Sequence, residues 1–176
     1  MKHEGHVETE MKFRIPDLAA AAQALADRGF REAVPAAEEA SVLWDRDGAL
    51  REAGCALRLR THGGRSVLTW KGARVEDPLL KIRPEIETGV ADPRALAGIL
   101  AALGYAPWMD MTKRRAVWRR ADLEACLDET PFGTFLELEG EAAAIRAEMA
   151  ALGLSEDMVE ARSYPALFQA FREGRP

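Results

Sequence analysis

Same-sign charges recur two residues apart on five stretches of this chain: Glu8 and Glu10, Arg58 and Arg60, Glu85 and Glu87, Lys113 and Arg115, Glu137 and Glu139. No other feature narrows the fold so far. Successive side chains of a strand point to opposite faces, so each pair shares one face and residues such as Thr9, Leu59, Ile86 and Leu138 take the other. Lys12 extends the first pair, Arg83 and Arg119 keep step with their neighbours, and Lys71 and Asp128 sit near the ends of strand-like runs. A single such pair is an ordinary solvated face. Five are harder to dismiss, because like charges at this spacing repel and do nothing for packing.

The pattern makes sense if the strands close into a barrel, with the intervening apolar residues facing helices. The interior would then hold the acids Glu8, Glu10, Glu85, Glu87, Asp128, Glu137 and Glu139, and the bases Lys12, Arg58, Arg60, Lys71, Arg83, Lys113 and Arg115. Small barrels normally fill themselves with apolar side chains. An ionic lining costs several kcal/mol per unpaired charge, so it persists around water, metal or a charged ligand. Clustered carboxylates suit hard cations such as Mg²⁺ or Mn²⁺. Clustered Arg and Lys suit phosphate oxygens, Arg being able to fork onto two at once. A polyphosphate carrying its metal needs both.

The rest of the chain fits an α+β reading of about eight mostly antiparallel strands with helices between them. Asp17 caps a helix over "LAAAAQALADRGF" that stops at Gly29, and Asp92 and Pro93 open a second that stops at Gly104. Strands are expected around Phe30 to Pro35, over "ASVLWD", and in a short piece at "LREAG" after a turn at "RDG". A hairpin turns at Gly63-Gly64, and Pro84 marks an edge, a bulge or a bend in "LLKIRPEIETG". Two strands flank a turn near Ala121-Asp122, "GTFLELEGE" adds another, and helices follow at "EAAAIRAEMAALGL" and "YPALFQAFREG".

With 176 residues, 48% of them hydrophobic, the chain buries a core as one domain over 1–176 without staples. A net charge of -5 argues against non-specific nucleic-acid binding. Cys55 and Cys126 lack any metal-ligand spacing, and His3, His6 and His62 are scattered. No run approaches the roughly 18 apolar residues of a membrane span, so a cytoplasmic protein is expected.

In order, "VETEMK", "ALRLR", "LTWKG", the Arg-x-Glu-x-Glu of "RPEIE", the Lys-x-Arg of "KRR", the "LD" at Asp128, "GTFLELE" and "SYPALF" resemble the motifs of the CYTH proteins, the triphosphate tunnel metalloenzymes. The resemblance runs from about residue 7 to 170. It implies a closed eight-stranded tunnel with helices packed outside, binding a triphosphate and a divalent metal, Mg²⁺ or Mn²⁺. It implies that Lys12, Arg58, Arg60, Lys71, Lys113 and Arg115 grip the phosphate chain. Glu8, Glu10, Glu137 and Glu139 would surround one metal, and Glu85, Glu87 and Asp128 a second. The catalytic set is then Glu8, Glu10, Lys12, Glu85, Glu87 and Asp128. For Arg83 and Arg119 pairing with neighbouring acids is expected instead.

The expected activity is hydrolysis of inorganic triphosphate or a small organic triphosphate such as thiamine triphosphate. The alternatives are a class IV adenylate cyclase acting on ATP and a non-catalytic polyphosphate or nucleotide binder. Class IV cyclases carry a His-Phe pair before Glu-x-Glu-x-Lys, where this chain has Lys2 and His3. Trp44, Trp70, Trp108 and Trp118 are candidates to contact an organic ligand, although packing is the commoner role. Relatives include monomers and homodimers.

Overall fold

The computed structural model describes residues 6–175. Eight strands form a closed barrel in the order β1-β5-β4-β3-β2-β6-β7-β8. They are β1 (His6–Arg14), β2 (Arg31–Asp45), β3 (Ala56–His62), β4 (Arg65–Lys71), β5 (Lys81–Val90), β6 (Ala106–Arg120), β7 (Leu123–Thr130) and β8 (Gly133–Glu139). The helices are α1 (Leu18–Asp27), α2 (Ala49–Glu52), α3 (Pro93–Ala102), α4 (Ala142–Ala151) and α5 (Tyr164–Arg172). The expected fold class is therefore the observed one, and closure removes the exposed strand edges that invite aggregation. Among the described residues no helix is long and apolar enough to cross a membrane.

The chain divides into two compact units. The first comprises Glu39–Val75 and Arg83–Thr112, with His6 and Val7; the second comprises Glu8–Glu38, Glu76–Ile82 and residues 113–175.

In the second unit the antiparallel register of β1, β8, β7 and β6 settles which residues share a face. Met11 stands opposite Leu138, Phe13 opposite Leu136, Ala125 opposite Leu138 and Ala116 opposite Leu127. These residues join Leu25 of α1 and Ile145 of α4 in one buried cluster. Phe13, Leu138, Leu25 and Ile145 are fully buried. Each such side chain stabilises the fold by about 1.5–3 kcal/mol relative to exposure. Asp17 caps α1 as expected, accepting from the amides of Ala19 and Ala20.

The first unit repeats the arrangement on a smaller scale. Trp44, Leu59 and Leu100 are buried, with Val42, Leu57, Leu68, Val90 and Tyr105 packed around them. Leu100 comes from α3, whose Asp92 cap accepts from the amides of Arg94 and Ala95.

Three local expectations need correction. The two strand pieces before Asp45 are one 15-residue strand, β2, which accommodates Pro35. "LREAG" is helical: α2 is held by Asp45, which accepts from the amides of Leu50 and Arg51 and from the Arg51 guanidinium. A single helical turn has no periodicity to read, and its anchor lies upstream.

Pro84 is at no edge, because β5 lies between β1 and β4. Antiparallel partners exchange two backbone bonds, and proline has no N–H to give. Gly72 donates to the Pro84 carbonyl at 2.8 Å. The missing return donor to the Gly72 carbonyl is supplied by Arg83 Nε at 2.8 Å, while Arg83 Nη2 reaches the Gly54 carbonyl at 2.9 Å. Gly72 itself is required by crowding: a Cβ there would meet Trp70 Cη2 at 3.0 Å and Pro84 Cγ at 3.2 Å.

Candidate functional site

The face opposite each apolar cluster is ionic. In the first unit Arg58 stands opposite Thr69, Thr69 opposite Glu87, Lys71 opposite Glu85 and Ser41 opposite Arg60. Lys71 pairs with Glu85 at 3.0 Å, and Arg60 lies 3.5 Å from Glu87 and 3.8 Å from Glu39. The Thr69 hydroxyl donates to Glu87 at 2.6 Å. Burial works to raise the Glu87 carboxyl, but hydrogen bonds from Thr69 and with Glu85, aided by Arg60 and Arg58, hold it below its ordinary value. Arg58 Nε is buried without a hydrogen-bond partner. A buried donor left in this way calls for a partner.

In the second unit Glu10 stands opposite Glu139 and Lys12 opposite Glu137 across β1 and β8, with Glu8 two residues before Glu10. Arg115 stands opposite Asp128 on β6 and β7. Its guanidinium forks onto Asp128 at 2.7 and 2.6 Å and also donates to Glu137. Lys113 reaches Asp128 at 3.1 Å. Asp128 is fully buried, and Glu8, Lys12, Arg115 and Glu137 are each under 9% exposed. Burial alone would raise the Glu137 carboxyl; Arg115, Lys113, Lys12 and Lys81 overcome it and hold Glu137 far below the usual carboxylate range. Lys12 goes the other way. Burial pushes its ammonium down to about 7, with Lys81 adding to the effect and Glu137 and Glu10 opposing it.

Several residues of this face escaped the parity reading. Lys81 lies 2.9 Å from Glu10 and is buried. Its signal was its shared parity with Arg83, Glu85 and Glu87 along β5. Glu39 and Thr69 had no signal beyond their strands. Tyr164, from the "SYPALF" stretch, donates its hydroxyl to Asp128. The ammonium groups of Lys12 and Lys113 each lie 4.0 Å from its ring centroid. Burial, together with Glu137 and Asp128, raises the Tyr164 phenol well above its ordinary value. Around it stand Phe132 and Phe135.

Other expected residues fall elsewhere. Arg119 pairs with Glu124 at 2.8 Å, and Arg83 serves the backbone as described. Trp44 and Trp118 belong to the apolar clusters, and Trp108 lies beneath Arg51 at 4.8 Å. Glu85 and Glu87 belong to the first unit and Asp128 to the second. Lys2 and His3 lie outside the described residues.

A hard cation takes oxygen donors, and Glu10 faces Glu139 across β1 and β8, with Glu8 two residues along β1 and Glu137 two residues along β8, opposite Lys12. They are not gathered as a ready cage. Among the described residues no three acid, His or Cys side chains are grouped to hold a metal. Glu10 and Glu137 are turned toward Lys81 and Arg115 instead. As oxygen donors they suit a hard cation, and holding one would require Glu10 and Glu137 to turn from these cations.

The CYTH domain family profile matches residues 6–164. A Methanocaldococcus jannaschii protein, whose name proposes an adenylate cyclase, is 29% identical over 169 residues, covering 90% of this chain and 96% of that protein. A Vibrio parahaemolyticus structure, also described as a proposed adenylate cyclase, superposes with a TM-score of 0.83 at 21% identity, covering 95% of this chain and all of that one. A Hippeastrum protein described as having a dominant triphosphatase activity superposes with a TM-score of 0.66 at 20% identity, covering 96% of this chain and 97% of that one.

Proposed function

This chain belongs to the CYTH domain family, and on that premise we propose that it is a divalent-metal-dependent hydrolase of inorganic triphosphate or a small organic triphosphate. The observation that carries the reading is the buried ionic cluster in which Lys12 and Arg115 stand, with Lys113, beside Asp128 and Glu137. An ammonium depressed to about 7 by burial recovers its full charge when a polyanion arrives. Arg58, with its buried and unmatched Nε, supports the same ligand class.

In this reading Lys12, Arg58, Arg60, Lys71, Lys113 and Arg115 bind the phosphate oxygens and spread the charge that builds on the transferred group. Arg115 is held by Asp128 and Glu137, and Lys113 by Asp128, so both cations are fixed on this face before the ligand arrives. Glu8, Glu10, Glu137 and Glu139 would hold a metal, with Glu85, Glu87 and Asp128 the remaining carboxylates of the catalytic set. A bound Mg²⁺ or Mn²⁺ supplies Lewis acidity to phosphate oxygens and a more acidic water. Water's oxygen forms the new bond to the terminal phosphorus as the bridging P–O bond breaks, leaving phosphate, the shortened chain and a proton.

The whole chain would work as one cytoplasmic domain on a small molecule rather than on nucleic acid, as a monomer or homodimer. The names of the Methanocaldococcus and Vibrio relatives favour the alternative, an adenylate cyclase, and a non-catalytic binder is a third reading. Purified protein with Mg²⁺ or Mn²⁺ is offered triphosphate, ATP and thiamine triphosphate separately. Phosphate release from triphosphate or thiamine triphosphate supports the proposal. Cyclic AMP with pyrophosphate from ATP replaces it with the cyclase, and binding without products with the third reading.

A further inference from the structure

Lys81 sits where a metal's charge would go. Its side chain is 8% exposed, and its ammonium lies 2.9 Å from Glu10 Oε1. Glu10 faces Glu139 across the β1–β8 ladder, in the carboxylate set that the proposed function, on which this inference rests, gives to a divalent cation. One carboxylate therefore has two claimants. The other charges acting on Lys81 are Glu137 and Lys12, so its surroundings hold a second ammonium as well as the two acids. A divalent ion entering here without its anion would meet the Lys81 ammonium and the partly charged Lys12 beside it.

We infer that Lys81 is a positioning residue that holds Glu10 against metal in the empty protein and yields it when a polyphosphate arrives, so that metal and substrate enter together. A polyphosphate supplies several negative oxygens, which satisfy the Lys81 and Lys12 ammonium groups and cancel their repulsion of the metal. Metal alone brings no such compensation. The same lysine thereby serves two ligands in turn, Glu10 first and a phosphate oxygen afterwards.

The test uses Mn²⁺ alone, titrated into metal-free full-length protein, with unbound Mn²⁺ read from its paramagnetic resonance signal and no triphosphate present. Lys81→Met removes the charge, Lys81→Gln removes it but keeps a hydrogen-bond donor for Glu10 and with it the fold, and Lys81→Arg keeps the charge. The neutral variants are expected to bind Mn²⁺ at least about tenfold more tightly than the wild type, since a nearby unit charge at protein-like dielectric is worth that much against a divalent ion. Lys81→Arg is expected to match the wild type. A purely structural lysine would give the reverse, because loosening β5 weakens every site beside it. Unchanged or weaker Mn²⁺ binding in folded Lys81→Gln overturns the inference. Triphosphate hydrolysis by the wild type is measured separately, so this inference and the proposed function can fail independently.

Discussion

Replacing Arg115 by Met keeps roughly the side chain's length and removes its charge from between Asp128 and Glu137. Both carboxylates are buried, and Asp128 has no exposure at all. Removing one member of a buried ionic group typically costs about 3–5 kcal/mol, because the remaining charge stays desolvated. Here Asp128 keeps Lys113 and Tyr164, and Glu137 keeps Lys12 across the ladder, so the lower end of that range applies. For a domain of this size about 3 kcal/mol lowers the melting temperature by about 6–12 °C.

The deficit has a pH signature. Glu137 lies below its ordinary value in the wild type, so its contribution to stability is present above the unfolded-chain value of about 4.3. That contribution is lost as pH falls through the lower folded value. Once Arg115 is gone, burial acts on Glu137 with its largest opposing charge missing, so its carboxyl rises and the variant's deficit is greatest near neutrality and shrinks toward pH 4.5 as Glu137 protonates. Urea unfolding followed by circular dichroism at pH 7 and 4.5 measures both numbers. A deficit under about 1 kcal/mol at pH 7, or one that does not change with pH, would refute the claim that this guanidinium neutralises a buried acid pair.

Glu10→Gln is expected to abolish triphosphate turnover at ordinary metal concentration, while Arg58→Ala mainly raises KM; steady-state kinetics separates the two, and full activity in Glu10→Gln would sink the metal assignment. With Lys12 near 7, binding of triphosphate should take up about half a proton at pH 7 and about 0.9 at pH 8, and affinity should fall as pH rises. Calorimetry in two buffers of different ionisation heat measures the uptake, and Lys12→Arg, which stays charged, should abolish this share of it. Gly72→Ala should destabilise by about 1–3 kcal/mol through its contacts with Trp70 and Pro84, and an unchanged urea midpoint would show that β4 and β5 relax freely.

The period-two charge pattern was sufficient to read the strands and their ionic face, because both follow from side-chain alternation, which is local; closure into an eight-stranded barrel followed from the resemblance of the ordered motifs to the family. The register Glu10 opposite Glu139 and Arg115 opposite Asp128 is not local. It joins positions more than a hundred residues apart in the first case, and nothing in either segment alone announces it. Lys81 was missed for a related reason: its partner is Glu10, 71 positions away. Glu39 and Thr69 are single polar residues in otherwise ordinary strands, and only burial distinguishes them. The helical turn at Ala49–Glu52 depends on Asp45, whose carboxylate accepts from the amides of Arg46, Leu50 and Arg51, a role that its place in the sequence does not announce.

Arg83 and Pro84 act as one backbone unit: the guanidinium stands in for the amide that the imino acid lacks. A chain with any other residue at position 84 would regain the ladder amide. One substitution at position 84 would therefore relieve Arg83 Nε of its duty to the sheet while Nη2 kept the Gly54 carbonyl.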